Sequence, residues 1–256
     1  MVDVARYRRE LSSRWLGLRL ALAGRHFQFP EIKALRQVVA AFDVDCIFDV
    51  GANQGQYATL LRKDVGFSGT ILSFEPNPDA LAILRRRAQG DARWHVFDTA
   101  LSDFDGEAEF NITAAEQFSS LEKPSATDEV FGWRTEVTKT LAVQCRRLEG
   151  LFADLQAQYG FTRPFLKMDT QGHDRSVCEG ALGIFPQLIG AQSELAFQTL
   201  YAGAADYRAA IDWFAARNFL PSALFTNTKG HFPLLVEMDG IFLNGALIED
   251  GKVKCA

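Results

Sequence analysis

Four polar residues near the ends of predicted strands have side chains suited to moving a proton: Asp169, His173, Asp174 and Glu194. His173 is the predicted general base, because an imidazole with a pKa of about 6.5 accepts a proton near neutral pH. Asp169 is predicted to position a hydroxyl substrate or to orient His173, and Glu194 to contact that substrate. Such a set could remove the proton of a weak nucleophile such as an alcohol.

Each of these residues also has a plain structural interpretation. His173 could be a surface histidine at a helix start, Asp169 an N-cap, and Glu194 a buried acid satisfied by backbone donors. Oxygen and imidazole ligands also suit a divalent cation such as Mg²⁺. The spacing of the four residues matches no recognised metal signature, so Mg²⁺ is a secondary interpretation and no metal ligands are assigned.

A glycine-containing turn between a strand and a helix indicates a ligand site. The short apolar run 46–50 is typical of a buried parallel strand, and 51–56 forms the turn. Gly51 and Gly55 allow positive φ and let a ligand approach bare backbone, while the helix start offers free N–H groups. Glu75 ends the next strand, where an acid can accept both hydroxyls of a ribose.

The third strand end carries Asp98 and Ala100, which could line an adenine, with Asp98 accepting a hydrogen bond from its amino group. One ligand-binding element at each of three successive strand ends fits the rule that ligands bind at the carboxyl edge of an open α/β sheet. The predicted ligand-binding residues are Asp49, Gly51, Asn53, Gly55, Gln56, Tyr57, Glu75, Pro76, Asn77, Asp98 and Ala100.

The turn fits S-adenosylmethionine better than a dinucleotide. The dinucleotide fingerprint needs glycines where the chain has Asn53 and Ala58. Asp49, directly before the turn, is unsuited to a pyrophosphate but suits the ammonium of an amino acid. An NAD-dependent oxidoreductase or epimerase also predicts a Tyr-x-x-x-Lys pair, which none of the five tyrosines provides. A non-catalytic module that binds an adenosine ligand is a further alternative.

Strands and helices alternate from residue 46 onwards, which predicts an α/β fold with a doubly wound, mostly parallel sheet. The region of about 107–145 interrupts this alternation and is predicted to be an inserted lid or hairpin. Its aromatic residues Phe118, Phe131 and Trp133 are candidates for contact with the substrate.

The N-terminal segment differs in charge from the rest of the chain. Residues 1–26 hold six arginines and two acids, a net charge of +4, so the remainder contributes −9 to the total of −5. Apolar residues recur there at helical spacing: Val4, Tyr7, Leu11, Trp15, Leu18 and Leu22. The predicted amphipathic helix could pack on the body, on a partner subunit of a homodimer, or peripherally on an anionic membrane. Residues 1–43 are therefore predicted to be a helical extension, and 44–256 the main domain.

The overall composition is that of a globular protein, with 48% hydrophobic and 23% charged residues. The acidic body argues against a nucleic-acid partner. No apolar run approaches the roughly 20 residues that span a bilayer, and the start does not resemble a signal peptide. The four cysteines are scattered, so the cytoplasm is the expected location.

At these residues the chain resembles the FkbM family of methyltransferases. The resemblance covers roughly residues 46–244, and its motifs are specific as a set. They are Phe48-Asp49-Val50-Gly51-Ala52-Asn53-Gln54-Gly55, Phe74-Glu75-Pro76-Asn77-Pro78, Ala100-Leu101-Ser102-Asp103, Ser119-Ser120-Leu121, Leu166-Lys167-Met168-Asp169-Thr170-Gln171-Gly172 and Gln192-Ser193-Glu194-Leu195.

The resemblance implies a Rossmann-like class I methyltransferase sheet of seven strands, the last of them antiparallel. It implies S-adenosylmethionine as donor and O-methylation of a sugar, glycan, polyketide-type metabolite or related small molecule. The same resemblance places Asp49, Gly51, Asn53, Gly55 and Glu75 at the cofactor. Many members have Asp-x-Glu-Gly-x-Glu where this chain has Gln171 in the glutamate's place, so a role that needs a carboxylate there is not expected.

Overall fold

The structure is a computed structural model that describes residues 14–115, 119–123, 136–198, 201, 205–226 and 233–249. The helices are α1 (residues 14–22), α2 (Phe29–Ala41), α3 (Gln56–Leu60), α4 (Pro78–Ala88), α5 (Leu148–Tyr159), α6 (Asp174–Glu179), α7 (Tyr207–Ala215) and α8 (Gly245–Glu249). The strands are β1 (Cys46–Val50), β2 (Thr70–Phe74), β3 (Trp94–Phe97), β4 (Ala100–Leu101), β5 (Gly106–Thr113), β6 (Val137–Arg146), β7 (Pro164–Met168), β8 (Gly190–Ala196), β9 (Phe219–Phe225) and β10 (Glu237–Asn244).

Seven of these strands form the main sheet, in the order β3-β2-β1-β7-β8-β10-β9. The neighbours from β3 to β8 are all parallel, whereas β10 runs antiparallel to both β8 and β9. The predicted doubly wound, mostly parallel seven-stranded fold is therefore confirmed. The chain builds outward from β1 to β3 and then returns to the other side of β1 with β7. Ligands bind in the crevice at such a point, where the strand order reverses.

Each face of the main sheet has its own apolar core. In β1, Ile47 packs on the face covered by α2 and α4, and Phe48 packs on the face covered by α5 and α7. Successive side chains of a strand point to opposite faces, which produces this division. Burial on both faces also explains why β1 and β7 are continuous apolar runs in the sequence.

Helix α1 packs on the sheet through Leu16 and Leu20, not through the predicted apolar stripe. The described members of that stripe are exposed: Trp15, Leu18 and Leu22. The predicted stripe therefore does not pack on the body. Its contact with a partner subunit or an anionic membrane stays a prediction. Arg19, on the same helix, forms an ion pair of 2.6 Å with the buried Asp64.

The N-terminal helices share their core with the sheet, since α1 and α2 belong to one apolar cluster with β1. The division between residues 1–43 and 44–256 stays a prediction. Within the described ranges, no helix is both long and apolar enough to cross a membrane.

A second, three-stranded sheet has the order β4-β6-β5. Strands β5 and β6 pair antiparallel across the region of 107–145 that was expected to hold a lid or hairpin. The short segment 119–123 lies beside β5, where Ser120 forms a bridge to Asn111. The aromatic residues Phe118, Phe131 and Trp133 lie outside the described residues.

Helix α5 is absent from the sequence-based expectations. Its signal is present in the chain, because Leu148, Phe152 and Leu155 recur at the spacing of one helix face and Gly160 follows the helix end. These three residues are buried against the sheet. The helix supplies the crossover between β6 and β7.

The packing of α1 predicts different effects for two leucines of one helix. Leu20→Ala removes a buried side chain and should lower the free energy of unfolding by about 2–5 kcal/mol. Leu22→Ala is the matched control and should change it by less than about 0.5 kcal/mol, because Leu22 is 82% exposed. Urea unfolding measures the free energy of unfolding of both variants. An equal decrease in the two variants would contradict the observed orientation of α1.

Candidate active site

A cleft of about 1250 Å³ opens at the carboxyl edge of the main sheet, beside the turn that follows β1. It is lined by five of the predicted ligand-binding residues and two of the predicted catalytic residues. These are Gly51, Asn53, Gln56, Tyr57 and Glu75, together with Asp169 and Glu194. The structure therefore brings the two predicted sets into one cavity.

The turn after β1 contains three residues with positive φ: Gly51 at 71°, Asn53 at 47° and Gly55 at 85°. A Cβ atom on Gly51 would overlap the carbonyl oxygen of Asp169. Only glycine combines this φ with such a close approach of two backbones. The requirement for Gly51 thus comes from contact with the end of β7 inside the protein, and this contact places Asp169 next to the turn.

Glu75 is held at the end of β2 by two backbone donors. The Asn53 N–H donates to Oε2 at 2.6 Å, and the Asn77 N–H donates to Oε1 at 2.8 Å. Burial raises the pKa of Glu75 to about 7, and the two backbone hydrogen bonds partly oppose this rise. Each carboxylate oxygen keeps a further lone pair, so Glu75 can accept hydrogen bonds from two ligand hydroxyls.

Asp49 does not line the cleft but lies behind the turn, fully buried. The Ser73 hydroxyl donates to its Oδ2 at 3.1 Å, and the Lys167 Nζ lies 3.2 Å from its Oδ1. Asp49 is therefore already paired with a cation of the protein. Its predicted contact with the ammonium of a ligand stays a prediction.

The turn nevertheless offers what S-adenosylmethionine requires. The side-chain oxygen of Asn53 is buried and accepts no hydrogen bond from the described residues. A buried polar atom of this kind calls for a donor, and an amino-acid ammonium or a hydroxyl would supply one. Together with the carboxylate of Glu75 and the bare backbone at Gly51, this oxygen fits a ligand that combines an amino acid with a ribose.

Asp169, Gln171 and Glu194 form the wall of the cleft at the ends of β7 and β8. The Gln171 amide donates to Asp169 Oδ1 at 2.8 Å, and its nitrogen lies 3.5 Å from Glu194 Oε2. Burial, with the charges of Glu237 and Asp169, raises the pKa of Glu194 well above its usual value. This rise favours the protonated form, which can donate a hydrogen bond to a bound molecule.

A second group of polar residues lies deeper in the cleft, on α2, α3, β8 and β10. Tyr57 donates to Gln192 Oε1 at 2.9 Å, and the Gln192 amide donates to Glu31 Oε1 at 3.0 Å. Burial raises the pKa of Glu31, and burial together with Glu31 raises the pKa values of Tyr57 and Asp239. Sequence reasoning missed Glu31, Gln192 and Asp239, because each is a single polar residue in an ordinary helix or strand.

The structure does not place His173 in the cleft. The ring is only 7% exposed, and Nε2 lies 3.0 Å from the Ser102 Oγ. Nδ1 lies 2.9 Å from Glu122 Oε1. Both ring nitrogens are therefore engaged within the protein, between the residue that follows β4 and the segment 119–123. The ring also lines a separate small cavity that adjoins Gly51 and Glu75. The role of His173 as general base stays a prediction.

The remaining predicted ligand-binding residues have other surroundings. Asp98 is exposed, lies 3.7 Å from Arg85 and does not line the cleft. Asn77 caps α4 through its side-chain oxygen. Pro76 and Ala100 line a separate cavity of about 40 Å³ that adjoins Glu75. The contacts expected of these residues with a ligand stay predictions.

The secondary interpretation of a Mg²⁺ site has no support. Among the residues that the structure describes, no three His, Cys, Asp or Glu side chains are grouped to hold a metal ion. Asp174 already accepts hydrogen bonds on both oxygens, from Thr170 on Oδ1 and from Ser193 and the Glu194 N–H on Oδ2. It is a structural carboxylate that joins the end of β7 to β8.

Lys167 is the residue whose importance sequence reasoning missed most clearly. Its Nζ is buried between Asp49 at 3.2 Å and Asp169 at 3.6 Å, and it lies 4.9 Å from the centre of the Tyr57 ring. Burial alone lowers the pKa of Lys167, but the two neighbouring aspartates reverse this and raise it above its usual value. A lysine inside an otherwise apolar strand was the available signal, since buried lysines occur almost only with partners.

Sequence comparison identifies the family. The sequence model of the methyltransferase FkbM domain matches residues 49–221, which is more than half of the chain. This chain belongs to the FkbM methyltransferase family. It is accordingly an S-adenosylmethionine-dependent methyltransferase, not an NAD-dependent oxidoreductase or epimerase.

Individual relatives are distant. The 2-O-methyltransferase NoeI of Sinorhizobium fredii (strain NBRC 101917 / NGR234) is 25% identical over 263 residues, which cover 96% of this methyltransferase and 100% of NoeI. The crystal structure of methyltransferase FkbM from Methylobacillus flagellatus KT aligns with a TM-score of 0.46 and 16% identity, over 78% of this chain and 44% of that one. The magnesium protoporphyrin IX methyltransferase ChlM from Synechocystis PCC 6803, solved with bound SAM, aligns with a TM-score of 0.44 and 7% identity, over 84% and 80%. This methyltransferase thus spans less than half of the crystallised FkbM chain.

The surroundings of Glu75 predict that cofactor binding depends on pH. Ribose hydroxyls donate to the carboxylate form, so affinity for S-adenosylhomocysteine should rise as the pH increases from 6 to 8, through the pKa of about 7. Glu75→Gln should weaken binding by about 10- to 100-fold and remove this dependence. Calorimetric titration at several pH values measures both effects. A pH dependence that persists in the variant would assign it to another group.

Proposed function

We propose that this methyltransferase transfers the methyl group to a hydroxyl of an uncharged, polyhydroxylated small molecule such as a sugar, with Asp169 as the general base. The observation that carries this proposal is that Asp169 lies in the wall of the cleft and directly adjoins the turn of residues 51–55. Its carboxyl group is 46% exposed, and its backbone carbonyl touches Gly51. The 2-O-methyltransferase NoeI, which aligns over its whole length, supports an oxygen acceptor.

S-adenosylmethionine supplies a methyl group that is already activated by a positively charged sulfur. The protein must therefore align the acceptor oxygen and take its proton. Glu75, Asn53 and the backbone around Gly51 would hold the cofactor. Asp169 would accept the hydroxyl proton on a carboxylate oxygen and pass it to solvent through the open side of the cleft.

The neighbours of Asp169 suit this task. Gln171 donates to its Oδ1 at 2.8 Å, and Lys167 lies 3.6 Å from its Oδ2. Both groups attract a carboxylate oxygen and hold the side chain in place. Glu194, in the protonated form that its surroundings favour, would donate a hydrogen bond to a second oxygen of the acceptor.

The part of the cleft around Asp169 supports an acceptor without negative charge, whereas other parts of the cleft are also lined by Arg25, Arg62, Lys63 and Arg87. Carboxyl groups of Glu31, Asp169, Glu194, Glu237 and Asp239 converge from α2, β8, β10 and the end of β7. Lys167, at the centre of this group, is already paired with two aspartates. Hydroxyl groups can donate to carboxylates and amides, whereas a phosphate or a carboxylate would be repelled.

The N-terminal helix α1 offers a candidate contact surface. Trp15, Leu18 and Leu22 are exposed on α1, and contiguous exposed apolar side chains often mark a contact surface. We propose a homodimer or a peripheral membrane contact there, a cytoplasmic location and no nucleic-acid partner, as the sequence suggests.

Asp169→Asn tests the assignment of the base. The variant keeps a hydrogen-bonding oxygen but cannot take the proton, so kcat should fall by about 10²- to 10⁴-fold, with unchanged affinity for S-adenosylhomocysteine. Turnover is measured as S-adenosylhomocysteine release with an acceptor found by screening monosaccharides and their glycosides. Asp154→Asn, on the exposed side of α5, is the matched control and should retain wild-type turnover. Wild-type turnover in Asp169→Asn would return the role of base to His173.

The charge of the acceptor can be tested with matched compounds. A phosphate ester of an accepted sugar should have a kcat/KM at least about tenfold lower than its methyl glycoside. Two like charges about 8 Å apart repel by about 2 kcal/mol at an effective dielectric constant of 20, which exceeds a factor of ten. Raising the ionic strength should reduce the difference in kcat/KM between the two compounds. A phosphorylated sugar that is methylated as well as its glycoside would contradict the proposed acceptor class.

A further inference from the structure

Gln171 occupies a restricted position at the end of β7. Its backbone has a φ of 54°, in the left-handed region, and its amide contacts three side chains. The amide nitrogen donates to Asp169 Oδ1 at 2.8 Å and lies 3.5 Å from Glu194 Oε2. On the other side of the amide, the Tyr201 hydroxyl donates to Oε1 at 2.9 Å.

Only one orientation of the Gln171 amide satisfies these partners. The Asp169 carboxylate accepts hydrogen bonds and cannot donate them, so the NH₂ group must face Asp169. The opposite orientation would place the amide oxygen against two carboxyl groups. Tyr201 stabilises the observed orientation from the far side, because its hydroxyl donates to the Gln171 amide oxygen.

Tyr201 is itself fixed relative to this turn. A Cβ atom on Gly172 would lie 2.8 Å from the Tyr201 Cβ, so the tyrosine packs directly on the glycine. Tyr201 is only 2% exposed. The Ser120 hydroxyl also contacts the carbonyl oxygens of Thr170 and Gln171, at 2.9 and 2.8 Å. The amide of Gln171 is thus held before any acceptor binds.

We propose that Gln171, oriented by Tyr201, is a positioning residue that holds the carboxylate of Asp169 ready to take the acceptor proton. This inference rests on the proposed function, in which Asp169 is the base. The amide fixes the Oδ1 atom and separates two acidic side chains that would otherwise face each other. A glutamine serves here better than a glutamate, because it is a donor to both carboxyl groups and adds no charge.

The charge balance around Asp169 makes this donor important. Besides Gln171, the charged groups that act on Asp169 come from four elements: Lys167 of β7, Glu194 of β8, Asp239 of β10 and Glu31 of α2. Only the lysine favours the ionised carboxylate. A carboxylate at position 171 would replace an attraction at 2.8 Å by a repulsion.

Gln171→Glu tests the inference with little change in side-chain size. The acidic limb of the kcat/KM profile should move to higher pH by at least about one unit, with activity restored towards alkaline pH. Tyr201→Phe removes the donor that orients the amide. It should lower kcat by about two- to tenfold at all pH values, with unchanged KM for the acceptor and unchanged affinity for S-adenosylhomocysteine.

Tyr207→Phe is the matched control. Tyr207 stacks on Phe197 outside the cleft, and its variant should match the wild type in rate and pH profile. Thermal unfolding of each variant shows whether a loss of activity comes from a loss of the folded state. Tyr201→Phe still tests the inference if Gln171→Glu does not fold. A wild-type pH profile in folded Gln171→Glu, or a wild-type kcat in Tyr201→Phe, would overturn the inference. Failure of the proposed function is distinguished by Asp169→Asn, which would then keep its turnover.

Discussion

The buried ion pair between Lys167 and Asp49 joins the carboxyl ends of the two central strands, β1 and β7. A buried charge without a partner is very costly, so each side chain requires the other. This pair sets the geometry of the site, because Lys167 also reaches Asp169 and lies over the ring of Tyr57. The turn of residues 51–55 and the proposed catalytic carboxylate are thus attached to one pair of adjacent strands, and their separation is fixed by the register of the sheet.

Many carboxyl groups in one cleft create repulsion, which the fold relieves with amides. Two arrangements of the same kind occur. Tyr57 donates to Gln192, which donates to Glu31, and Tyr201 donates to Gln171, which donates to Asp169. In each, a tyrosine hydroxyl orients a glutamine whose NH₂ group faces a carboxyl group. Amides satisfy the carboxyl oxygens without adding a positive charge to this part of the cleft.

Sequence reasoning succeeded where a local pattern determines the structure. The strands were predicted because buried strands are apolar runs, and the turn at 51–55 because its glycines can adopt positive φ. Glu75 was predicted because it is the acid at the end of β2. It could not determine the direction in which single side chains point. His173 directly precedes α6 as its N-cap residue, and its ring contacts Ser102 and Glu122, which belong to segments distant in the sequence. In the same way, the stripe on α1 has correct helical spacing, and tertiary contacts of Leu16 and Leu20 decide which face is buried.

The turn of residues 169–173 connects these observations. On one side Asp169 touches Gly51, on another Ser120 and Glu122 of the insertion bind the carbonyl groups and the His173 ring, and on a third Tyr201 binds Gln171. Three parts of the chain that are far apart in sequence therefore fix one short segment. Such a segment cannot adjust to one contact without disturbing the others, because its left-handed residues Gln171 and Gly172 leave few alternative backbone conformations. The insertion accordingly has a structural role at the site through residues 119–123, in that it holds the turn on which the proposed base is mounted.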